Sequence, residues 1–178
     1  MNIPNFLTIL RILAIPLFII LIAYEHYPLA LILFIGAAIS DALDGFLART
    51  FKQNTTLGAY LDPIADKLLL TSSFVVFSIM KLIPAWLSIL VISRDIIILL
   101  GILVLLVNFF PVEIHPTAIS KCTTVFQLFS IGITLLFHVM HKAYIPLQVV
   151  FWTTGIFTVI SGIDYVSKGL KIINEREQ

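Results

Sequence analysis

Four aspartates are the residues of this sequence whose type and spacing are best suited to chemistry. They form two pairs, Asp41 with Asp44 and Asp62 with Asp66. Positions three or four apart lie on one face of a helix, so each pair would present two carboxylates in the same direction. Clustered carboxylates offer the oxygen ligands that hard divalent cations prefer.

Four neighbouring negative charges cannot all stay ionised without compensation. Either several of the carboxyl groups are protonated, or cations lie among them. Two metal ions sharing these carboxylates would suit phosphoryl transfer, because they can hold the transferred group and its leaving oxygen. The competing interpretations are a proton relay and a set of acids solvated in the headgroup zone of a membrane. From the spacing we favour the metal interpretation.

Small and basic residues lie in the same stretch of chain. Gly45, Ala48 and Gly58 would let a flat ligand or another helix approach closely. Plain helix packing explains each glycine taken alone. Arg49 could clamp a phosphate with two parallel hydrogen bonds, or it could extend towards lipid headgroups as basic residues at span ends do.

The elements that must position these residues are membrane helices. The chain has 178 residues, of which 60% are hydrophobic and 12% are charged, whereas about 25% of residues are charged in soluble domains. A helix needs about 20 mostly apolar residues to cross a bilayer. Stretches that qualify are Phe6–Tyr24, Pro28–Ala48, Tyr60–Met80, Trp86–Phe109, Ala118–Met140 and Ile145–Val166. We therefore expect an all-α membrane protein with six transmembrane helices in a single domain, residues 1–178.

The distribution of Lys and Arg predicts the orientation of these spans. Eight of these residues lie near span ends on one side and two on the other, which places both termini in the cytoplasm. The loop between the second and third spans is then cytoplasmic. Asp41 and Asp66 each lie about 12 Å along their helices from that loop, so we expect the four carboxylates to converge there.

The net charge argues against nucleic-acid binding, and the first five residues argue against a cleavable signal peptide. A formal net charge of +1 argues against a nucleic-acid partner bound by bulk charge. The segment Met1-Asn2-Ile3-Pro4-Asn5 lacks a basic region, so we expect no cleavable signal peptide.

The aspartates belong to a longer pattern. In order it is Asp41-x-x-Asp44-Gly45-x-x-Ala48-Arg49, then eight residues, then Gly58-x-x-x-Asp62-x-x-x-Asp66. The pattern resembles in full the signature of the CDP-alcohol phosphotransferase family. Two further segments resemble the bacterial branch that makes phosphatidylglycerophosphate: Asn2-Ile3-Pro4-Asn5-x-Leu7-Thr8-x-x-Arg11 and Ser120-Lys121-x-Thr123-Thr124-x-x-Gln127.

The resemblance implies a transferase for CDP-diacylglycerol in a bacterial inner membrane, usually a homodimer, with its active site on the cytoplasmic side. The implied ligands of two divalent ions, Mg²⁺ or Mn²⁺, are Asp41, Asp44, Asp62 and Asp66, and Asp66 is the candidate catalytic base. The residues that would line the CDP pocket are Asp44, Gly45, Ala48, Arg49 and Gly58. The acceptor hydroxyl would attack the β-phosphorus in line and expel CMP, with no covalent enzyme intermediate.

Cations further along the chain are candidates for binding the acceptor phosphate. Arg94 lies within the fourth span and Lys121 near the cytoplasmic start of the fifth, and His115 is a weaker candidate. Successive helical residues leave the axis about 100° apart, so we expect Arg94 and Asp95 to be poor partners for each other.

The expected acceptor is glycerol 3-phosphate, with phosphatidylglycerol as the alternative. Relatives that use glycerophosphate usually place another Arg eight residues after the first, where this chain has Ile102. The run Ser93-Arg94-Asp95 also resembles the cardiolipin synthases of the family. Two other classes share the acidic cluster: membrane prenyltransferases, which are typically longer, and cation-coupled transporters, which carry paired broken helices that are not evident here.

Overall fold

The structure is a computed structural model of the whole chain. It describes the backbone of residues 3–51, 56–107, 117–140 and 145–174. Side chains are described for residues 8–40, 65–104, 107, 117–140 and 147–171.

Every regular element in these described ranges is an α-helix. The helices are α1 (Ile3–Ala23), α2 (Tyr27–Phe51), α3 (Thr56–Ile79), α4 (Ala85–Val107), α5 (Ala118–Val139) and α6 (Ile145–Asn174). Each one coincides with an expected apolar stretch, which confirms the all-α prediction. Helix α6 continues eight residues beyond the expected end of its span at Val166, because the helix carries on through a mixed stretch in which basic residues alternate with apolar ones.

Within the described ranges, three of the helices are long and apolar enough to cross a membrane. The segments are Ala85–Val104, Ala118–Val139 and Leu147–Lys171, and shorter apolar helical segments occur at Thr8–Ala23 and Tyr27–Ser40. Large hydrophobic side chains are exposed on the outer faces of these helices, as expected for surfaces that meet lipid rather than water. Length, composition and exposure together indicate a membrane protein.

The connections after α1 and α3 stop their helices in the same way. Glu25 and Lys81 have φ values of 60° and 57°, the left-handed conformation common just past a helix C-terminus. Amide–carbonyl bonds close each end, from His26 to Leu21 at 2.8 Å and from Leu82 to Phe77 at 2.8 Å. Both stops fall in the polar breaks that separate the expected spans.

The chain divides into two compact units. The first comprises Met1–Ile83 and Ile131–Tyr144, and in it α1 packs against both α2 and α3. Phe18 of α1 lies between Phe34 and Phe77, with ring centroids 6.0 and 6.1 Å away. A further buried cluster joins the same helices through Ile15, Ala37 and Leu69. The helices with the acidic pairs are thus both held by α1.

The second unit comprises Pro84–Ser130 and Ile145–Gln178. Helix α4 packs against α6 there, and the indole rings of Trp86 and Trp152 lie 4.9 Å apart. The backbone of Gly155 passes close to the ring of Trp86, since a Cβ atom at that position would lie 2.8 Å from Cζ3 of Trp86. A glycine is therefore needed for the close approach of α4 and α6.

We expect Gly155→Ala to destabilise the protein by about 1–3 kcal/mol, because the added methyl group overpacks the contact with Trp86. Gly169→Ala on the same helix is the matched control, since a Cβ atom there meets nothing within 4 Å. The control should gain about 0.5–1 kcal/mol from the better helix propensity of alanine. Thermal unfolding of both variants in detergent measures the difference, and equal midpoints would contradict the close contact.

Candidate active site

The acidic pairs lie on two consecutive helices of the first unit, each of which packs against α1. Asp41 and Asp44 belong to α2, and Asp62 and Asp66 belong to α3. The structure does not describe the surroundings of three of the four acids, which are Asp41, Asp44 and Asp62. The same holds for the predicted residues of the CDP pocket, which are Gly45, Ala48, Arg49 and Gly58. The convergence of the four carboxylates therefore stays a prediction, and Asp66 is the member whose surroundings can be given.

The carboxylate of Asp66 is paired with an arginine of α1. Nη1 of Arg11 donates a hydrogen bond to Oδ1 of Asp66 at 2.9 Å. The arginine side chain is 1% exposed, whereas the aspartate side chain is 45% exposed. Asp66 therefore opens to the surroundings on one side while a fully enclosed cation holds it on the other.

The sequence of α1 explains why this cation is enclosed. Thr8 and Ile15 precede and follow Arg11 at helical spacing, and both are buried. On α3, Ala65 and Leu69 flank Asp66 and are buried too. Packing of these two apolar faces leaves the long guanidinium stem inside the unit, with its charged end at the carboxylate.

In the sequence, Arg11 belongs to the N-terminal segment that resembles the phosphatidylglycerophosphate branch and counts among the basic residues that set the orientation, but sequence reasoning did not pair Arg11 with Asp66. The available signal was an ionisable residue in the interior of the first apolar stretch, where such a residue needs a compensating partner.

The donor set present is compatible with a hard divalent cation. Asp66 supplies carboxylate oxygens that are partly open, and oxygen is the ligand type that Mg²⁺ and Mn²⁺ prefer. Among the described residues no group of three potential metal ligands occurs, but three of the four predicted ligands lie outside that part of the chain. The metal site stays a prediction.

Arg94 occupies the centre of the second unit. It is 4% exposed, and its Nη2 donates to Oγ of Ser120 at 2.6 Å and of Ser161 at 2.7 Å. The ring of Tyr165 lies 5.7 Å from its guanidinium carbon. Helices α4, α5 and α6 thus each contribute to fixing this one side chain.

The expectation that Arg94 and Asp95 are poor partners is wrong. Nη1 of Arg94 donates to Oδ1 of Asp95 at 2.7 Å, and the aspartate is 7% exposed. The angle of 100° describes where side chains leave the helix, but the arginine stem is long enough to turn its charged end back to the neighbouring carboxylate. Burial of both groups makes that pairing the favourable arrangement.

The other acceptor candidates differ from Arg94 in their surroundings. Lys121 follows Ser120 on α5 and its side chain is exposed. His115 lies outside the described residues. The structure therefore brings one of the two main candidate cations into a hydroxyl-lined interior and leaves the other on the surface.

A line of hydroxyl and amide side chains continues from Ser120 along the contact between α5 and α6. Oγ of Ser130 and Oγ1 of Thr154 are 2.6 Å apart, and Oγ1 of Thr123 donates to the carbonyl of Phe157 at 3.1 Å. All of these polar side chains are buried. Polar residues repeating every three or four positions in an apolar helix signal such an interface, and sequence reasoning noted part of the run without assigning it a packing role.

Comparison with known proteins decides the family. The model of the CDP-alcohol phosphatidyltransferase family matches residues 1–160. The chain belongs to this family. The match confirms the resemblance inferred from the aspartate pattern and shows the protein to be a transferase of CDP-alcohol chemistry.

Named family members are similar over nearly the whole chain. The CDP-diacylglycerol–glycerol-3-phosphate 3-phosphatidyltransferase of Aquifex aeolicus is 35% identical, over 97% of this chain and 98% of that protein. The Bacillus subtilis enzyme of the same name is 32% identical, over 94% of both chains. Human cardiolipin synthase (CMP-forming) is 32% identical over 97% of this chain but 63% of its own length.

The buried ion pair of Arg94 and Asp95 in this phosphatidyltransferase allows its contribution to stability to be tested. Arg94→Met alone should cost about 3–5 kcal/mol, because it removes the cation beside a buried carboxylate. Arg94→Met combined with Asp95→Leu should recover most of that loss. Lys121→Met is the matched control, and removal of this exposed cation should stay within about 0.5 kcal/mol. Denaturation in detergent measures all three, and a double variant no more stable than Arg94→Met would contradict the pairing.

Proposed function

We propose that this protein transfers the phosphatidyl group of CDP-diacylglycerol to glycerol 3-phosphate, giving phosphatidylglycerophosphate and CMP. The observation that carries the proposal is the end-to-end match with two transferases named for this reaction. Both comparisons cover at least 94% of each chain.

We also propose that all six helices span a bacterial inner membrane, with both termini and the active site in the cytoplasm. Exposed hydrophobic side chains occur on α1 and α2 as well as on the three long apolar helices, for example Leu13 and Ile32. The excess of Lys and Arg at one set of span ends supports the orientation. A homodimer, typical of the family by resemblance, belongs to the same proposal.

In the proposed site the residues on α2 and α3 hold the donor. The ligands of two divalent ions, Mg²⁺ or Mn²⁺, are Asp41, Asp44, Asp62 and Asp66. When bound, the ions would neutralise the diphosphate and stabilise the departing phosphate of CMP. The CDP pocket is formed by Asp44, Gly45, Ala48, Arg49 and Gly58.

Asp66 is proposed to act on the acceptor. Its side chain is 45% exposed, so a hydroxyl group can approach the carboxylate. There it can orient the hydroxyl for in-line attack on the β-phosphorus and take its proton as the new bond forms. The cytidine monophosphate leaves with the electrons of the broken phosphorus–oxygen bond.

Arg94 and Lys121 are proposed to bind the acceptor phosphate. Lys121 is exposed and can meet an anion directly. Arg94 is already bonded to Ser120, Ser161 and Asp95 through its Nη1 and Nη2 groups. Its buried Nε–H group has no hydrogen-bond partner among the described residues, so a phosphate oxygen can accept from that group.

One observation favours phosphatidylglycerol as a second candidate acceptor. Asp95 lies 2.7 Å from Arg94 and offsets its charge, which lowers the positive potential at this position. A phosphate dianion needs more positive potential than the phosphodiester monoanion of a lipid, so the reduced potential suits the lipid better. Human cardiolipin synthase also matches this chain at 32% identity.

Release of CMP from CDP-diacylglycerol tests the reaction. Purified protein in liposomes should release CMP when glycerol 3-phosphate is supplied, and much less with phosphatidylglycerol. Lys121→Met should raise the KM for glycerol 3-phosphate while leaving that for CDP-diacylglycerol nearly unchanged. If the protein released CMP with phosphatidylglycerol but not with glycerol 3-phosphate, the proposed reaction would be wrong and cardiolipin synthesis would replace it.

The same assay tests the metal. We expect excess chelator to abolish CMP release and Mg²⁺ or Mn²⁺ to restore it. Asp62→Asn should remove activity while the protein still inserts and keeps its helical circular dichroism, because a ligand shared by two ions is lost. Undiminished turnover in chelator would overturn the metal assignment, whatever the variants do.

A further inference from the structure

The contact between Arg11 and Asp66 joins α1, which carries none of the predicted metal or nucleotide ligands, to the proposed catalytic carboxylate. We infer that Arg11 is a positioning residue for phosphatidyl transfer, which fixes the carboxylate of Asp66 in the orientation that metal binding requires. The inference rests on the proposed metal-dependent function.

The guanidinium is held too firmly to be an incidental surface partner. Its side chain is 1% exposed and lies between buried Thr8 and Ile15 on the same face of α1. Helix α1 packs against both helices that carry the aspartates. Movement of the charged end would therefore disturb the packing of α1 against α3.

The hydrogen bond constrains the carboxylate more than a point charge would. The planar guanidinium has N–H groups in fixed directions, and a charge-assisted bond of 2.9 Å to Oδ1 fixes the rotation of the carboxylate about its last bond. Outer partners of this kind orient metal ligands, and losing one typically lowers metal affinity or activity about 10- to 100-fold.

The difference in exposure supports the same role. Asp66 is 45% exposed and Arg11 is enclosed, so the pair has one open side, on the aspartate. A pair serving packing alone would gain nothing from leaving its anion open, whereas a carboxylate that must meet an ion and a hydroxyl group needs that access.

Binding of Mn²⁺ to the protein in nanodiscs, followed by electron paramagnetic resonance, measures this role without turnover. Arg11→Gln should weaken Mn²⁺ binding by at least about tenfold, and Arg11→Lys should recover part of the loss because it keeps the charge. In liposomes with Mn²⁺ at a saturating concentration, Arg11→Gln should lower kcat while the KM for CDP-diacylglycerol changes little.

Ile15→Ala is the matched control for packing. Ile15 lies one turn from Arg11 on the same buried face, so its truncation should lower the thermal unfolding midpoint and leave Mn²⁺ affinity unchanged. If Arg11→Gln lowers the midpoint as Ile15→Ala does but binds Mn²⁺ like the wild type, the pair is structural and the inference is wrong.

A double variant separates action through Asp66 from any other effect. Once Asp66→Asn has weakened Mn²⁺ binding, adding Arg11→Gln should change the affinity by less than about twofold, because contacts that act as a unit are not additive. A full tenfold further loss would overturn the inference. Failure of the wild-type protein to bind Mn²⁺ would instead overturn the proposed metal site, so the two failures are distinguishable.

Discussion

An arginine enclosed among apolar helices is costly unless an anion and hydrogen-bond acceptors surround it. Each unit of this phosphatidyltransferase contains such an arginine. In the first unit Arg11 is compensated by Asp66 at 2.9 Å. In the second, Arg94 is compensated by Asp95 at 2.7 Å and by the hydroxyls of Ser120 and Ser161.

The two arginines differ in what their partners leave accessible. Asp66 is nearly half exposed beside Arg11, so that pair combines a rigid inner side with a reactive outer side. Asp95 is 7% exposed beside Arg94, so the second pair is closed on both sides. This difference fits a carboxylate that must meet a metal ion and an acceptor hydroxyl from outside, and an enclosed arginine whose charge is offset by the adjacent Asp95.

Hydropathy predicted the helices well because lipid-facing and buried positions are both apolar, so a long apolar run indicates a helix whichever way its residues face. It could not predict where α6 ends, since the turns after Val166 mix basic and apolar residues and continue the helix past the uninterrupted apolar run. Side-chain pairing was predicted least well. The Arg94–Asp95 pair was missed because helix geometry specifies where a side chain starts rather than where a long one ends.

The candidate site was predictable to the extent that it is local in sequence. The aspartate pattern spans residues 41–66 and indicated the family that the whole-chain match then showed. Arg11 lies 55 positions from Asp66, and no spacing rule connects residues so far apart. Its role follows from the packing of α1 on α3, which depends on the fold.

The separation of the candidate residues between the two units bears on how one family supports different acceptors. All predicted metal and nucleotide residues, from Asp41 to Asp66, belong to the first unit, and both main acceptor candidates belong to the second. Relatives named for glycerol 3-phosphate and for cardiolipin synthesis match this chain at similar identity. Cleavage of a CDP-activated lipid requires the same predicted metal and nucleotide residues of the first unit, whichever acceptor attacks. Differences in acceptor choice should therefore be sought in the charge balance around Arg94, where an adjacent carboxylate such as Asp95 changes the net charge offered to a phosphate without altering the donor chemistry.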